Sequence, residues 1–326
     1  MNFIPMSLVY KYLNWRERWF PAEKILRQSP YVLVFKTTNY CDLQCPHCCE
    51  CSGPNNPRTY IPAQTIHSYL DQAHADPVFS NNVVFTGGEI MSAYRFGPAD
   101  YVPQVLNKSM GLGISTDIKT NAAWVRSELA PQILSDLNNI SVMHKPYALH
   151  ISLSLDRYHK GALENNARLI AGLAECPIFV NVSGFKNHID MFPALVERIK
   201  SENISAEEVM VGNPENMRHA VLVGGKLLLT ESKATLFNGG RAQNMAGAKE
   251  TEFPQFKFIC QSGALIAFDT SGRVTLGENS GRKISTKWQT RRGEKALSDV
   301  RLDLLRATSL EETRAHLLEG WYLKLR

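Results

Sequence analysis

A chain of 326 residues with 44% hydrophobic and 21% charged side chains has the make-up of a globular protein with a large core, which excludes a disordered or fibrous chain. Its net charge of +5 is small, and the basic residues are scattered apart from Arg282, Lys283, Lys287, Arg291, Arg292 and Lys295, read as a solvated loop, so no nucleic-acid partner is expected. No apolar run approaches the ~20 residues that span a bilayer, so no membrane partner is expected either.

Residues 3–28 carry Phe3, Leu8, Tyr12, Trp15, Trp19 and Ile25 on an apolar face interrupted at Pro21, the pattern of a helical cap over 1–29 with no secretory signal. Tyr31 to Phe35 is β-branched or aromatic and predicts a first strand. The loop behind it holds Cys41, Cys45 and Cys48, three thiols at intervals of four and three residues. Five of the seven cysteines lie between Cys41 and Cys51, a poor disulfide framework and a good metal one, which points to a reducing cytoplasm. Structural zinc takes four protein ligands, whereas a cubane iron-sulfur cluster held by three cysteines keeps one iron open to a further ligand. Read from the residues alone, three assignments stand: that open cluster, a non-catalytic zinc or Fe-S binding module completed by Cys49 or Cys51, and a thiol redox pair of Cys45 and Cys48.

Helical spacing from Ile61 to Ala75 predicts the first return helix, and Asn82 to Thr86 a second strand running into Gly87-Gly88-Glu89. Two glycines at a strand end permit close backbone approach, and a carboxylate there can accept from an ammonium group. The alternation continues with a helix over 98–110, a strand over 113–119 ending at Thr120-Asn121, and a helix over 128–137. A strand over 150–156 follows, with Ser152 and Ser154 on a polar face, then Tyr158, His159 and Lys160 at the mouth as candidate substrate contacts. A helix over 165–174, a strand over 178–182 closed by Ser183-Gly184-Phe185, a helix over 191–201 and a sixth strand over 208–212 complete the series. Six such units predict an α/β fold, a partial (β/α)6 barrel of parallel strands over 30–215, with chemistry at the carboxyl ends of the strands.

Cys-x3-Cys-x2-Cys after a first strand, with Asp42-Leu43 between the first two cysteines and His47 before the third, resembles the radical SAM superfamily. The resemblance implies a [4Fe-4S] cluster on Cys41, Cys45 and Cys48 whose fourth iron binds S-adenosyl-L-methionine and delivers one electron to its sulfonium. The 5'-deoxyadenosyl radical so released would abstract hydrogen from the substrate. It implies that Gly87, Gly88 and Glu89, matching the family's Gly-Gly-Glu, contact the cofactor's amino group. Thr120-Asn121 matches the family's Thr-Asn-Gly, with Ala122 in place of the glycine. Ser154, in Ser154-Leu155-Asp156, would lie near the methionyl end, and Ser183 stands on the strand that lines the adenine pocket. An electron donor such as flavodoxin or ferredoxin is implied as a partner.

Gly239-Gly240-Arg241-Ala242, Cys260 and the run Phe268 to Val274 resemble the SPASM and twitch extensions of peptide-modifying relatives, so 216–326 is expected to be a small C-terminal twitch-like extension. Gly277 stands where that pattern has a second cysteine, and the expectation is a cluster-free hairpin rather than a second cluster on Cys49, Cys51, Cys176 and Cys260. Cys260 is a candidate hydrogen donor to a substrate radical, set against a buried structural role. Ser309 and Glu312 have the spacing of a capping box, which predicts a terminal helix. The resemblance implies a natural-product biosynthetic substrate, with a ribosomal peptide and a small metabolite weighed equally.

Overall fold

The computed structural model of the chain describes residues 31–48, 50–185, 190–211, 218–234, 241, 264–276, 285–291 and 293–304. The cap over 1–29, Cys49, Gly239, Gly240, Ala242, Cys260, Gly277, Arg282, Lys283, Arg292 and the helix expected from Ser309 lie outside them.

Strand β1 (Tyr31–Thr38) sends Tyr31, Leu33 and Phe35 into the core and Lys36 to the opposite face, the two-residue period of a pleated strand. Helix α1 (Ala63–His74) follows Pro62, which is tolerated at a helix start because the first N–H groups have no partner there. It buries Ile66, Tyr69, Leu70 and Ala73, spaced three and four apart along one stripe. The unit repeats as β2 (Phe79–Gly87), α2 (Tyr101–Gly111), β3 (Ser115–Thr120), α3 (Ala130–Met143), β4 (Leu149–Ser154), α4 (Ala162–Leu173), β5 (Phe179–Phe185) and α5 (Met191–Lys200). Strands β1 to β5 pair side by side in chain order, all parallel. Along β3, β4 and β5 burial alternates at every residue. Ile118, Ile151 and Val180 join the helix-side core, whereas Lys119, Ser152 and Asn181 share a rung on the other face.

The sixth parallel strand is not the one the sequence suggests. The strand expected over 208–212 corresponds to β6 (Ala206–Val211), but this lies at the outer edge of the sheet, antiparallel to β7 (Arg218–Val223). The place beside β5 is taken by β8 (Leu227–Ala234), parallel to β5 and joined to β7 by a hairpin. Two adjacent glycines decide this: Gly224 and Gly225 both have positive φ, 58° and 75°, and reverse the chain tightly, whereas a parallel crossover needs a dozen residues or more. On the other side β9 (Ala264–Phe268) runs parallel to β1, extending the parallel run to seven strands. Strand β10 (Arg273–Leu276) turns back on β9, and β11 (Ser285–Lys287) closes that edge. The hairpin expected around Asp269 is therefore part of the main sheet. Its turn is tied by Asp269 Oδ1, which accepts from Ser271 N at 2.9 Å and Arg273 N at 3.0 Å. The sheet is mostly parallel and open, an incomplete barrel.

Beyond their pairing, the ends of β1 and β2 stay in contact. Gly88 N donates to Thr38 O at 2.6 Å and Glu89 N to Tyr40 O at 2.8 Å. A methyl group on Gly88 would stand 1.9 Å from Tyr40 O, and one on Gly87, whose φ is +111°, 2.5 Å from Thr38 O. Backbone on both sides leaves no room to yield. Gly88→Ala is expected to cost about 3 kcal/mol in denaturant unfolding. Gly53→Ala, whose added carbon meets nothing nearer than 3.8 Å, stays within about 0.5 kcal/mol.

Candidate functional site

The crossing of β1 and β2 roots the cysteine loop. Beyond it Cys41 N donates to Gly53 O at 3.3 Å, Cys48 N to Cys45 O at 3.2 Å, and Asn56 Nδ2 to Asn39 O at 3.0 Å. The far side is held by Arg241, distant in sequence: its N donates to Cys48 O at 3.0 Å, its Nε to Cys45 O at 2.8 Å, and its Nη2 to Ser52 O at 2.7 Å. A loop outside the sheet thus has its carbonyls satisfied by one guanidinium and its own turns.

The loop covers a cavity of about 470 Å³ at the carboxyl ends of β1 to β5. Cys41, Cys45, Cys48, Gly87, Gly88, Asn121, Ser154 and Ser183 all line it. Glu89 does not: it is 1% exposed and lies one layer behind. Its carboxylate accepts from Met91 N at 3.0 Å, Thr120 Oγ1 at 2.9 Å and Asn121 N at 2.9 Å. Burial, helped by Asp42, pushes that carboxyl up to about 7 against the three donors that hold it down. Asn121 donates through Nδ2 to Cys41 Sγ at 3.4 Å and to Asp42 Oδ1 at 3.0 Å, so it also braces a thiol. Ala122, where the resemblance has glycine, keeps the left-handed conformation at φ 55°. Ser183 Oγ pairs with Ser232 Oγ at 2.6 Å.

Further residues belong to the cavity that the sequence did not mark, Asp117, Lys119 and Asn181, together with Ser152 from the polar face of the fourth strand. Ser152 Oγ donates to the Asp117 carboxylate at 2.9 Å. The signal was there as charged or amide side chains alternating with apolar ones on strands whose outer faces are covered. At the mouth, the Asp156 carboxylate accepts from Tyr158 N at 2.8 Å, His159 N at 3.0 Å and His159 Nδ1 at 2.8 Å. His47 stacks edge-on against His159 and Phe185. His159 lines the cavity, Tyr158 packs against His47, and Lys160 is exposed. Cys176 lies elsewhere, in the helix-side core, donating to Asn138 Oδ1 at 2.9 Å, and Cys51 is exposed.

The donor set discriminates among the three readings of the cysteines. A single zinc at ~2.3 Å from each sulfur would draw thiolates to within roughly 4 Å of one another. Among the described residues the one group of three ligating side chains with donor atoms all within 4.8 Å is His47, Asp156 and His159, and the three thiols form no such group. Burial pushes the Cys41 and Cys48 thiols up, the opposite of the lowered pKa that an attacking thiol in a dithiol redox pair uses.

No protein-family model matches the sequence, and no curated protein matches it. Solved structures that it matches include SuiB from Streptococcus suis bound to S-adenosylmethionine, at 18% identity over 76% of this chain and 60% of that one, with a TM-score of 0.45. A second SuiB structure matches at 18% identity over 84% of this chain and 66% of that one, TM-score 0.49. anSMEcpe with bound AdoMet and Kp18Cys peptide matches at 10% identity over 87% of this chain and 82% of that one, TM-score 0.45. The chain spans 60% and 66% of the two SuiB chains. Among the described residues no helix is long and apolar enough to cross a membrane.

Arg241→Ala removes the donors to Cys45 O and Ser52 O, and iron retained after reconstitution and desalting is expected to bind about tenfold more weakly. Arg241→Lys recovers little, because one ammonium cannot serve both carbonyls as the planar fork does. A second expectation concerns Glu89. A carboxyl with a raised folded pKa stabilises the fold below its unfolded pKa, and that contribution is lost as pH rises through about 7. Unfolding free energy of the metal-free protein should fall by up to about 3 kcal/mol between about pH 4.5 and pH 7, and Glu89→Gln should remove that slope.

Proposed function

We propose that the chain is a radical SAM enzyme that abstracts hydrogen from a natural-product biosynthetic substrate, working in the cytoplasm with an electron donor such as flavodoxin or ferredoxin. The observation that carries this reading is the convergence of Cys41, Cys45 and Cys48 with Gly87, Gly88, Asn121, Ser154 and Ser183 on one cavity at the carboxyl ends of parallel strands. The three cysteines would hold a [4Fe-4S] cluster, and the backbone of Gly87 and Gly88 with the side chains of Asn121, Ser154 and Ser183 would hold S-adenosyl-L-methionine. What the bound pair supplies is homolytic abstraction of a hydrogen atom.

The protein's own share is placement and exclusion of water. Arg241 and the crossing of β1 and β2 fix the loop, so the thiols meet the metal with little ordering left to do. Glu89 acts from behind: it accepts from Thr120 Oγ1 and Asn121 N, which locks the end of β3 and places the Asn121 side chain beside Cys41. His47, Tyr158 and Phe185 form an aromatic wall at the mouth. Hydrogen-atom transfer needs no acid or base, and none is assigned. Below the thiols, Asp117, Lys119, Ser152 and Asn181 give the cavity a polar floor, suited to a peptide backbone or a small polar metabolite rather than to a lipid.

Anaerobic reconstitution with iron and sulfide, followed by dithionite and S-adenosyl-L-methionine, should give 5'-deoxyadenosine. Cys45→Ser should abolish it together with the cluster's visible absorbance. A fully loaded wild type that forms no 5'-deoxyadenosine, or one that takes up only zinc, overturns the reading in favour of a binding module.

A further inference from the structure

Part of the basic run that the sequence offers as a solvated loop is gathered at one place in the fold. Strand β9 runs parallel to β1 with Phe268 opposite Phe35, so the turn after β9 stands beside the root of the cysteine loop. The two are bonded there: Asn39 Nδ2, two residues before Cys41, donates to Thr270 Oγ1 at 3.3 Å. Ser271 of the same turn lines a second cavity, of about 530 Å³, together with Lys287, Gln289, Thr290, Arg291 and Lys295. Arg273 and Lys287, both exposed, stand directly opposite each other on β10 and β11. Like charges so placed repel and weaken the pairing of the strands. Three flanking carboxylates are engaged elsewhere or only partly relieve this: Asp269 accepts from Ser271 N and Arg273 N, Glu294 from Thr65, and Asp303 from Lys295 at 2.7 Å. Of the four cations, only Lys295 has a carboxylate ion-pair partner among the described residues.

We propose that this basic face, formed by Arg273, Lys287, Arg291 and Lys295, docks the acidic surface of an electron-donor protein beside the root of the cysteine loop. The inference rests on the enzyme reading above. Exposed charges of one sign steer an oppositely charged partner and fix its orientation, which is worth more in encounter rate and specificity than in the strength of any single pair. The cations are spread over two strands and the segment after them, and three of the four are exposed, an arrangement that suits a broad wet contact rather than the enclosed grip of one small anion. Electron transfer weakens steeply with distance, and the contact of Thr270 with Asn39 makes this edge of the sheet a near approach to the cysteines. A flavin held by the donor as the anionic hydroquinone would give up one electron and become the neutral semiquinone, with no proton moved, and the cluster would gain that electron. A cross-strand pair of like charges, costly to the hairpin, then has a use outside the fold.

The test uses a flavodoxin of strongly negative net charge. Its affinity for the metal-free protein is measured by titration calorimetry, and 5'-deoxyadenosine formation by the reconstituted protein is measured with reduced flavodoxin or with dithionite as the reductant. Wild-type affinity should fall at least about tenfold between about 0.05 M and about 0.5 M salt. Lys287→Glu should weaken flavodoxin binding about tenfold at low salt and slow the flavodoxin-driven rate by a similar factor, with the dithionite-driven rate unchanged. The same substitution sets an opposite charge across from Arg273, so its melting temperature should hold or rise while docking is lost, a split that a structural role alone does not produce. Should Lys287→Glu fail to fold, Arg291→Glu, outside the paired strands, carries the comparison. Wild-type binding that ignores salt, a variant that binds flavodoxin as the wild type does, or a wild type driven by dithionite yet neither bound nor driven by flavodoxin overturns the proposal and leaves the enzyme reading intact. Inorganic phosphate that binds here and blocks flavodoxin at a stoichiometry of one overturns it in favour of a small-anion site. A loaded wild type that forms no 5'-deoxyadenosine with dithionite overturns the function itself, and this proposal with it.

Discussion

Two strand ends lie closer than any side chain would allow, and the site depends on that contact. Gly87 and Gly88 bring the end of β2 against the carbonyls of Thr38 and Tyr40, so β1 stays pinned for two residues beyond its last rung. The cysteines begin at the next position. Because the root of the loop is set by main-chain hydrogen bonds, the thiols inherit the geometry of the sheet rather than the freedom of a surface loop. Arg241 does the same at the far side from a part of the chain almost two hundred residues away, so the cavity has a wall only when the two regions fold together.

The glycines consequently have a physical reason for being glycines that owes nothing to a ligand. Read from sequence, Gly-Gly-Glu was a cofactor contact; in the fold it is first a joint between strands, with Glu89 buried behind it and engaged by Met91, Thr120 and Asn121. The two roles are compatible for Gly87 and Gly88, which line the cavity as well. For Glu89 the spatial order is cavity, then the end of β3, then carboxylate, so its influence runs through Asn121.

Much of this could be read in advance where a local pattern decided the outcome. The first five strands and their helices follow from alternating periods of two and about 3.6, and their order follows because each helix returns the chain to the next parallel position. The sixth strand was misplaced because a parallel crossover was extrapolated past Gly224-Gly225, a hairpin signal that local reading could have weighed. The pairing of β9 with β1 joins residues more than two hundred positions apart, and nothing local announces it. In the site, the thiols were legible from their spacing. Asp117 and Lys119 were not, since a charged residue on a strand ordinarily marks a solvated face, and only the cysteine loop lying over that face makes it a cavity wall.

Charge explains why such a site should be assembled before it is filled. Three thiols, Glu89, Asp42 and Asp156 stand near one another with little water among them, and bringing the cysteines to thiolates there without a cation would be costly. Burial resolves the conflict by holding Cys41, Cys48 and Glu89 toward their neutral forms. A metal held by the thiols would reverse the balance there, because each would give up its proton on binding. Arg241 and His159 both stand on the cavity wall, Arg241 gripping the backbone of the loop and His159 held by the Asp156 carboxylate at 2.8 Å.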